Sequence, residues 1–231
     1  MLHVRRSADR GHFQHGWLDT FHTFSFAGYY DPDWMGFGAL RVINEDTIAA
    51  KRGFDEHSHE DMEILTYVIE GALEHRDNLG NGSVIHPNQI QYMSAGTGIQ
   101  HSEFNPADEP VHLLQIWIEP NMEHAEPRYE EKELPGTKPG ELQLIASADG
   151  RDGSVAIRQA ADVYLAKFMA GDSAIFHIVL GRKQWIQVIS GELGVGPELL
   201  KGGDACEIES EGDFALHANQ PSHFLLFDLA S

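Results

Sequence analysis

The sequence predicts an all-β protein of two antiparallel β-barrel domains, of jelly-roll type, packed together. Three observations predict it: short β-rich runs punctuated by turn residues, a helix-breaking stretch near mid-chain, and an internal repeat. The runs are Gly38–Ile48, Glu63–Arg76, Val111–Ile118, Gln184–Val195 and His223–Leu229, rich in Val, Ile, Leu, Thr and aromatic residues. Between them stand turn signals such as Asp31-Pro32-Asp33, Asn78-Leu79-Gly80-Asn81-Gly82 and Asp149-Gly150. Many short strands broken by Gly and Asn, with little 3.6-residue periodicity, read as a barrel or sandwich.

The second observation is the stretch Glu119–Gly140. It holds Pro120, Pro127, Pro135 and Pro139 and is rich in Glu. It is expected to link a metal-binding domain, residues 1–125, to a second domain, residues 126–231. The chain of 231 residues suits that division, since domains run to ~100–200 residues.

The third observation is the repeat. Val68-Ile69-Glu70-Gly71-Ala72-Leu73 resembles Val188-Ile189-Ser190-Gly191-Glu192-Leu193, and His112-Leu113-Leu114 resembles His223-Phe224-Leu225. Two matches in the same order suggest two copies of one fold.

Composition excludes several classes. A formal net charge of −20 leaves no basic stripe to displace counterions from phosphate, so direct nucleic-acid binding is not expected. The one cysteine, Cys206, forms no intrachain disulfide and reads as a small core residue. No apolar run approaches the ~18 residues of a membrane-spanning helix, and Met1-Leu2-His3-Val4-Arg5-Arg6 lacks a signal-peptide core. A cytoplasmic protein without membrane association is expected, and with no heptads or long apolar edges, a monomer.

Two clusters carry chemistry. In a strand, residues i and i+2 share a face. His57-Ser58-His59, just after the turn-forming Gly53, therefore aims two imidazoles one way. Gly96-Thr97-Gly98-Ile99-Gln100-His101-Ser102-Glu103 supplies a tight turn, then an imidazole and a carboxylate on one face. Two strands with two ligands each make a four-ligand site of His57, His59, His101 and Glu103. Imidazole suits Zn, Cu, Fe and Ni, while an added carboxylate with open positions favours redox-active iron. One divalent transition metal ion is expected, Fe2+ first, with Mn, Ni, Co, Cu and Zn compatible. Glu63 is expected to support a ligating histidine from behind, with a plain surface carboxylate as the alternative. His15, His22, His75, His86, His112, His217 and His223 lack a paired ligand at suitable spacing and read as packed or hydrogen-bonded residues.

The repeat tests the second copy. Shifted by the repeat offsets, His57, His59, His101 and Glu103 fall on His177, Val179, Gly212 and Phe214. One imidazole among valine, glycine and phenylalanine does not hold a divalent ion. The second domain is expected to be metal-free.

The chain resembles the pirin family of bicupins. The likeness runs through His15-Gly16-Trp17-Leu18-Asp19, His22-Thr23-Phe24-Ser25-Phe26, Tyr30-Asp31-Pro32, Met35-Gly36-Phe37 and Leu40-Arg41-Val42-Ile43-Asn44. It continues through Met62-Glu63-Ile64-Leu65-Thr66-Tyr67-Val68, Met93-Ser94-Ala95-Gly96 and His101-Ser102-Glu103. It is looser in the C-terminal half but fits a two-cupin layout end to end. The resemblance implies that His57, His59, His101 and Glu103 are the metal ligands. Departures are mild: Ser58 stands where the family often has Pro, and Lys51-Arg52-Gly53 replaces its usual Pro-Gly turn. Bacterial members include quercetin dioxygenases. The resemblance thus implies a flavonol and O2 as substrates, Glu103 as general base, and ring opening with loss of carbon monoxide. It also implies an alternative, a metal-sensing regulatory protein that binds a transcription factor or metabolic enzyme as protein partner.

Overall fold

The computed structural model describes residues 2–134, 136 and 138–231. The all-β expectation is met: apart from two short 3-10 turns, Ser7–Asp9 and Arg151–Gly153, every regular element described is a strand. The chain divides into two compact units. One comprises Gly11–Pro135 with Ile157–Gln159; the other comprises Met1–Arg10, Gly136–Ala156 and Ala160–Ser231.

The first unit holds a seven-stranded and a four-stranded sheet. The larger runs in the order Arg128–Glu133, Gln89–Ser94, Glu63–Glu70, Val111–Ile118, Leu40–Ile48, Leu18–His22, Gly11–Gln14. The smaller runs Gly53–His59, Ile99–Phe104, Leu73–Asp77, Gly82–Ile85. The second unit repeats the pattern with seven and four strands. Its interior is a continuous apolar core that includes Phe168, Ile178, Ile186, Val188, Leu193, Leu216, Phe224 and Leu226. Cys206 belongs to that core, and burial pushes its thiol up to about 12, so it is a packing residue.

The repeat has a structural cause. Glu63–Arg76 and Gln184–Val195 each read as one run, but each is two strands broken at Gly71 and Gly191, the first strand in the unit's seven-stranded sheet and the second in its four-stranded sheet. Both glycines take a positive φ, +87° and +86°. A Cβ on Gly71 would stand 2.9 Å from the Pro110 carbonyl oxygen, and one on Gly191 2.1 Å from that of Pro221. Only glycine meets both demands.

Two segments lie elsewhere than the sequence suggested. Leu2–Arg5 pairs antiparallel with Ala205–Ile208, placing the chain's start in the second unit rather than in a 1–125 domain. Its alternating Leu2 and Val4 pack on the core of that unit. The acidic stretch is not all connection: Arg128–Glu133 pairs with Gln89–Ser94 as an edge strand of the first unit. Charged residues are common on an edge strand, where they discourage further pairing, and here they mask the strand pattern.

Candidate metal centre

The site is built on two antiparallel strands of the smaller sheet, Gly53–His59 and Ile99–Phe104. Their register sets His101 opposite His57, Ile99 opposite His59 and Glu103 opposite Phe54, with a bulge between His101 and Glu103. Such a bulge re-aims side chains locally. Gly53 permits the close approach: a Cβ there would stand 2.0 Å from the Glu103 carbonyl oxygen.

The pairing gathers three imidazoles. Ring centroids lie 4.4 Å apart for His57 and His101, 4.8 Å for His57 and His59, and 4.9 Å for His59 and His101. One ligand atom from each lies within 4.8 Å of the others. Glu103 does not complete that group. Its carboxylate belongs to a neighbouring one, within the same distance of His101 and His75. The structure thus brings the three predicted histidines together and sets the predicted carboxylate beside only one of them.

The surroundings keep the imidazoles of His59 and His101 neutral. Burial, reinforced by the neighbouring imidazoles, lowers His101 to about 2. Burial and then His57 lower His59 to about 4. Neutral rings carry the lone pairs a metal ion needs. His57 Nδ1 lies 2.9 Å from the Asp55 carbonyl oxygen, which only accepts, so Nδ1–H donates. His101 Nε2 is buried with no hydrogen-bond partner.

Glu103 is 3% exposed. Both its oxygens lie 2.7 Å from Gln115 Nε2. Burial pushes its carboxyl up to about 7; the Gln115 hydrogen bond opposes this, and nearby Asp46 adds to it. The charge of Glu103 is therefore costly on its own, and a cation held beside it would offset that cost.

The imidazoles open into a cavity of about 1110 Å3. Trp17, Phe26, Phe54 and Trp117 contribute aromatic walls, with Lys51 and Arg52 also lining it. Trp117 meets His59 edge-to-face at 4.9 Å and Phe26 at 5.3 Å. Asn44 and Asp46 add polar lining, and the Oδ1 of each is buried without a hydrogen-bond partner.

Glu63 takes neither expected role. It is 1% exposed and accepts from the Tyr92 hydroxyl, from Ser94 Oγ at 2.5 Å and from the Arg158 backbone N–H at 2.8 Å. Its strand joins the larger sheet, and its partners tie residues 157–159 to the first unit. His75, read as an ordinary packed histidine, sits beside the site, with Nδ1 3.3 Å from His101 Nδ1. Gln115, Asn44 and Asp46 were not singled out at all. Gln115 did leave a signal, a polar residue among Leu113, Leu114, Ile116 and Ile118, whereas Asn44 and Asp46 stand in a strand that also carries Arg41, Glu45 and Thr47.

The family model described as Pirin matches residues 3–118, and that of the quercetinase C-terminal cupin domain matches residues 144–229. A protein of Escherichia coli K12 named quercetin 2,3-dioxygenase is 46% identical over 230 residues, covering 99% of each chain. A pirin-like protein of Caulobacter vibrioides is 39% identical, covering 95% of this chain and 96% of its own. The crystal structure of the bacterial pirin YhhW from Escherichia coli, in complex with nickel(II), superposes with a TM-score of 0.95. It is 45% identical and covers 100% of this chain and 99% of that one.

Proposed function

The chain belongs to the pirin family, and on that premise we propose that it is a metal-dependent dioxygenase that cleaves flavonols such as quercetin with O2. One observation carries the reading: three imidazoles, one with a buried and unpartnered Nε2, converge at a large aromatic-walled cavity. The naming of relatives as quercetin 2,3-dioxygenase and the nickel(II) in a 45% identical pirin support it.

His57, His59 and His101 would hold one divalent ion, with Glu103 as the fourth ligand. Iron is the metal expected from the donor set, and nickel is the one found in the relative. Bound there, the ion would supply Lewis-acid stabilisation of an acidic hydroxyl's anion.

The chain's own residues do the rest. Trp17, Phe26, Phe54 and Trp117 offer flat apolar faces to a planar polycyclic substrate. Asn44 Oδ1 and Asp46 Oδ1 lack donors, and substrate hydroxyls would supply them. Glu103, raised to about 7, is poised to take the proton of the flavonol 3-hydroxyl at its carboxylate oxygen. Gln115, bonded to both oxygens, keeps that carboxylate in place. Overall, one O2 enters, the heterocyclic ring opens and one carbon leaves as carbon monoxide.

The test is to measure metal content, then follow quercetin absorbance and O2 uptake together, with His57→Ala and His101→Ala alongside. Quercetin loss coupled to O2 uptake, and abolished in both variants, is the expected result. Bound metal without turnover would overturn the enzymatic reading in favour of a pirin-type regulatory protein with a protein partner.

A further inference from the structure

Behind His101 lies a row of buried groups that decides which of its ring nitrogens carries a proton. The row begins at Asp77, whose side chain is fully buried, as is that of His75. Asp77 Oδ1 accepts from the backbone N–H groups of Leu79 at 3.0 Å and Asn81 at 2.9 Å. Its Oδ2 accepts from the Asn81 side-chain amide at 2.9 Å. Oδ2 also lies 3.1 Å from His75 Nε2. A carboxylate already taking three N–H donors acts only as an acceptor, so His75 Nε2 holds the hydrogen.

In a neutral ring so arranged, Nδ1 is a lone pair. Gln91 Nε2 reaches it at 3.2 Å and His101 Nδ1 at 3.3 Å. For His101 to bond there, its Nδ1 must carry hydrogen, which leaves Nε2 bare. His101 Nε2 is the atom that the structure buries without a partner. In the opposite arrangement His75 would donate to His101, burying a His101 Nε2–H with no acceptor, which is the costlier state. The local fold supports the row. Strand Leu73–Asp77 pairs with Ile99–Phe104 so that Asp77 is opposite His101 and His75 opposite Glu103. The Tyr129 ring stacks on His75 at 4.6 Å and 21°, fixing the plane of the imidazole.

We propose that Asp77 and His75 are positioning residues that hold His101 in its Nδ1–H tautomer, so that the Nε2 lone pair faces a divalent metal ion. The metal half of this rests on the function proposed above; the tautomer half does not. The relay resembles the carboxylate–histidine–metal arrangement common at metal centres, lengthened by one imidazole.

The experiment uses the whole chain, 15N-labelled and stripped of metal with a chelator. Two-bond 1H–15N correlations of the imidazoles report each tautomer, and calorimetry with nickel(II) reports affinity. The native protein should show His101 protonated on Nδ1. His75→Phe keeps a ring against Tyr129 but removes the acceptor. Asp77→Asn lets an amide donate to His75 Nε2 and so turns the row around, as an Asp-to-Asn change does in a catalytic triad. Both should move the His101 proton to Nε2 and weaken nickel binding ~10–100-fold. His75→Gln, whose amide oxygen can accept from His101, should restore the tautomer and most of the affinity. The backbone amide spectrum verifies folding. If Asp77→Asn loses its turn, the His75→Phe and His75→Gln pair decides. A native His101 protonated on Nε2, or a His75→Phe protein with unchanged tautomer and affinity, would overturn the proposal. The expected tautomers with no nickel binding by the native chain would uphold the relay and refute the metal reading.

Discussion

The two units pair equivalent strands and put opposite things on them. In the first unit Gly53–His59 meets Ile99–Phe104 and sets His57 opposite His101. In the second, Ser173–Ile178 meets Gly212–Ala218 and sets His177 opposite Asp213. That pair is an exposed contact, His177 Nδ1 lying 2.5 Å from Asp213 Oδ1, in contact with solvent and worth little to the fold. Nearby Phe176 and Phe214 pack against the apolar core. The first unit instead lines its cavity with Asn44, Asp46, Glu103 and Gln115. Gly71 and Gly191 make the same crossing from the larger to the smaller sheet, one in each unit. The fold therefore depends on its turns and its strand pairing, while chemistry depends on which residues face inward. At its cavity the first unit leaves Asn44 Oδ1, Asp46 Oδ1 and His101 Nε2 buried without partners, a stability cost.

Substitutions can break or sharpen this contrast. The largest expected effect is at Glu103. Glu103→Gln keeps the shape but removes the proton acceptor, and should lower quercetin turnover ~10²–10⁴-fold while quercetin binding weakens far less. Steady-state kinetics beside a binding titration measures both; unchanged turnover would remove Glu103 from the chemistry. Next comes the apolar core of the second unit. Phe224 is fully buried and meets Phe168 edge-to-face at 5.0 Å. Phe224→Ala should cost ~3–5 kcal/mol in denaturant unfolding, while the protein that stays folded keeps its nickel affinity. A matching loss of affinity would show that the core and the site are not separable.

The smallest effect concerns Asp46. Burial raises its carboxyl from 3.8 to about 6; the Thr20 hydrogen bond opposes this, Glu45 adds to it and His112 opposes it. An acid raised in the folded state binds its proton more tightly there than in the unfolded chain. That stabilisation is complete below pH ~4 and is lost as pH rises to ~6, amounting to about 3 kcal/mol. Asp46→Asn should remove this loss, so the metal-free variant gains on the parent between pH 4 and pH 7 in urea unfolding. Parallel stability curves for the two proteins would show that Asp46 is not strained by its burial.

Much of the molecule was legible in the sequence. Strand alternation is a local property, so Val111–Ile118 and the flanking barrel strands could be read directly. The two i, i+2 clusters likewise placed His57 with His59 and His101 with Glu103 on shared faces. The repeat also exposed the missing ligands of the second copy, because equivalent strands carry equivalent positions.

Other features depended on register across strands, which spacing along the chain does not encode. Glu63 follows His59 by four residues, yet its strand enters the other sheet and bonds Tyr92, Ser94 and Arg158. His75 lies 26 residues from His101 and Gln115 lies 12 from Glu103, and strand pairing brings each to its partner. Leu2–Arg5 joins a strand about 200 residues away because Ala205–Ile208 offers it an open edge. The sequence by itself determined the fold class, the internal repeat and the identity of the clustered histidines, since each follows from local composition and side-chain period. Only the tertiary structure decided which carboxylate stands beside which imidazole, which buried atoms go unpaired and which side chains stand behind His101. Those depend on distances of a few ångströms between strands far apart in the chain.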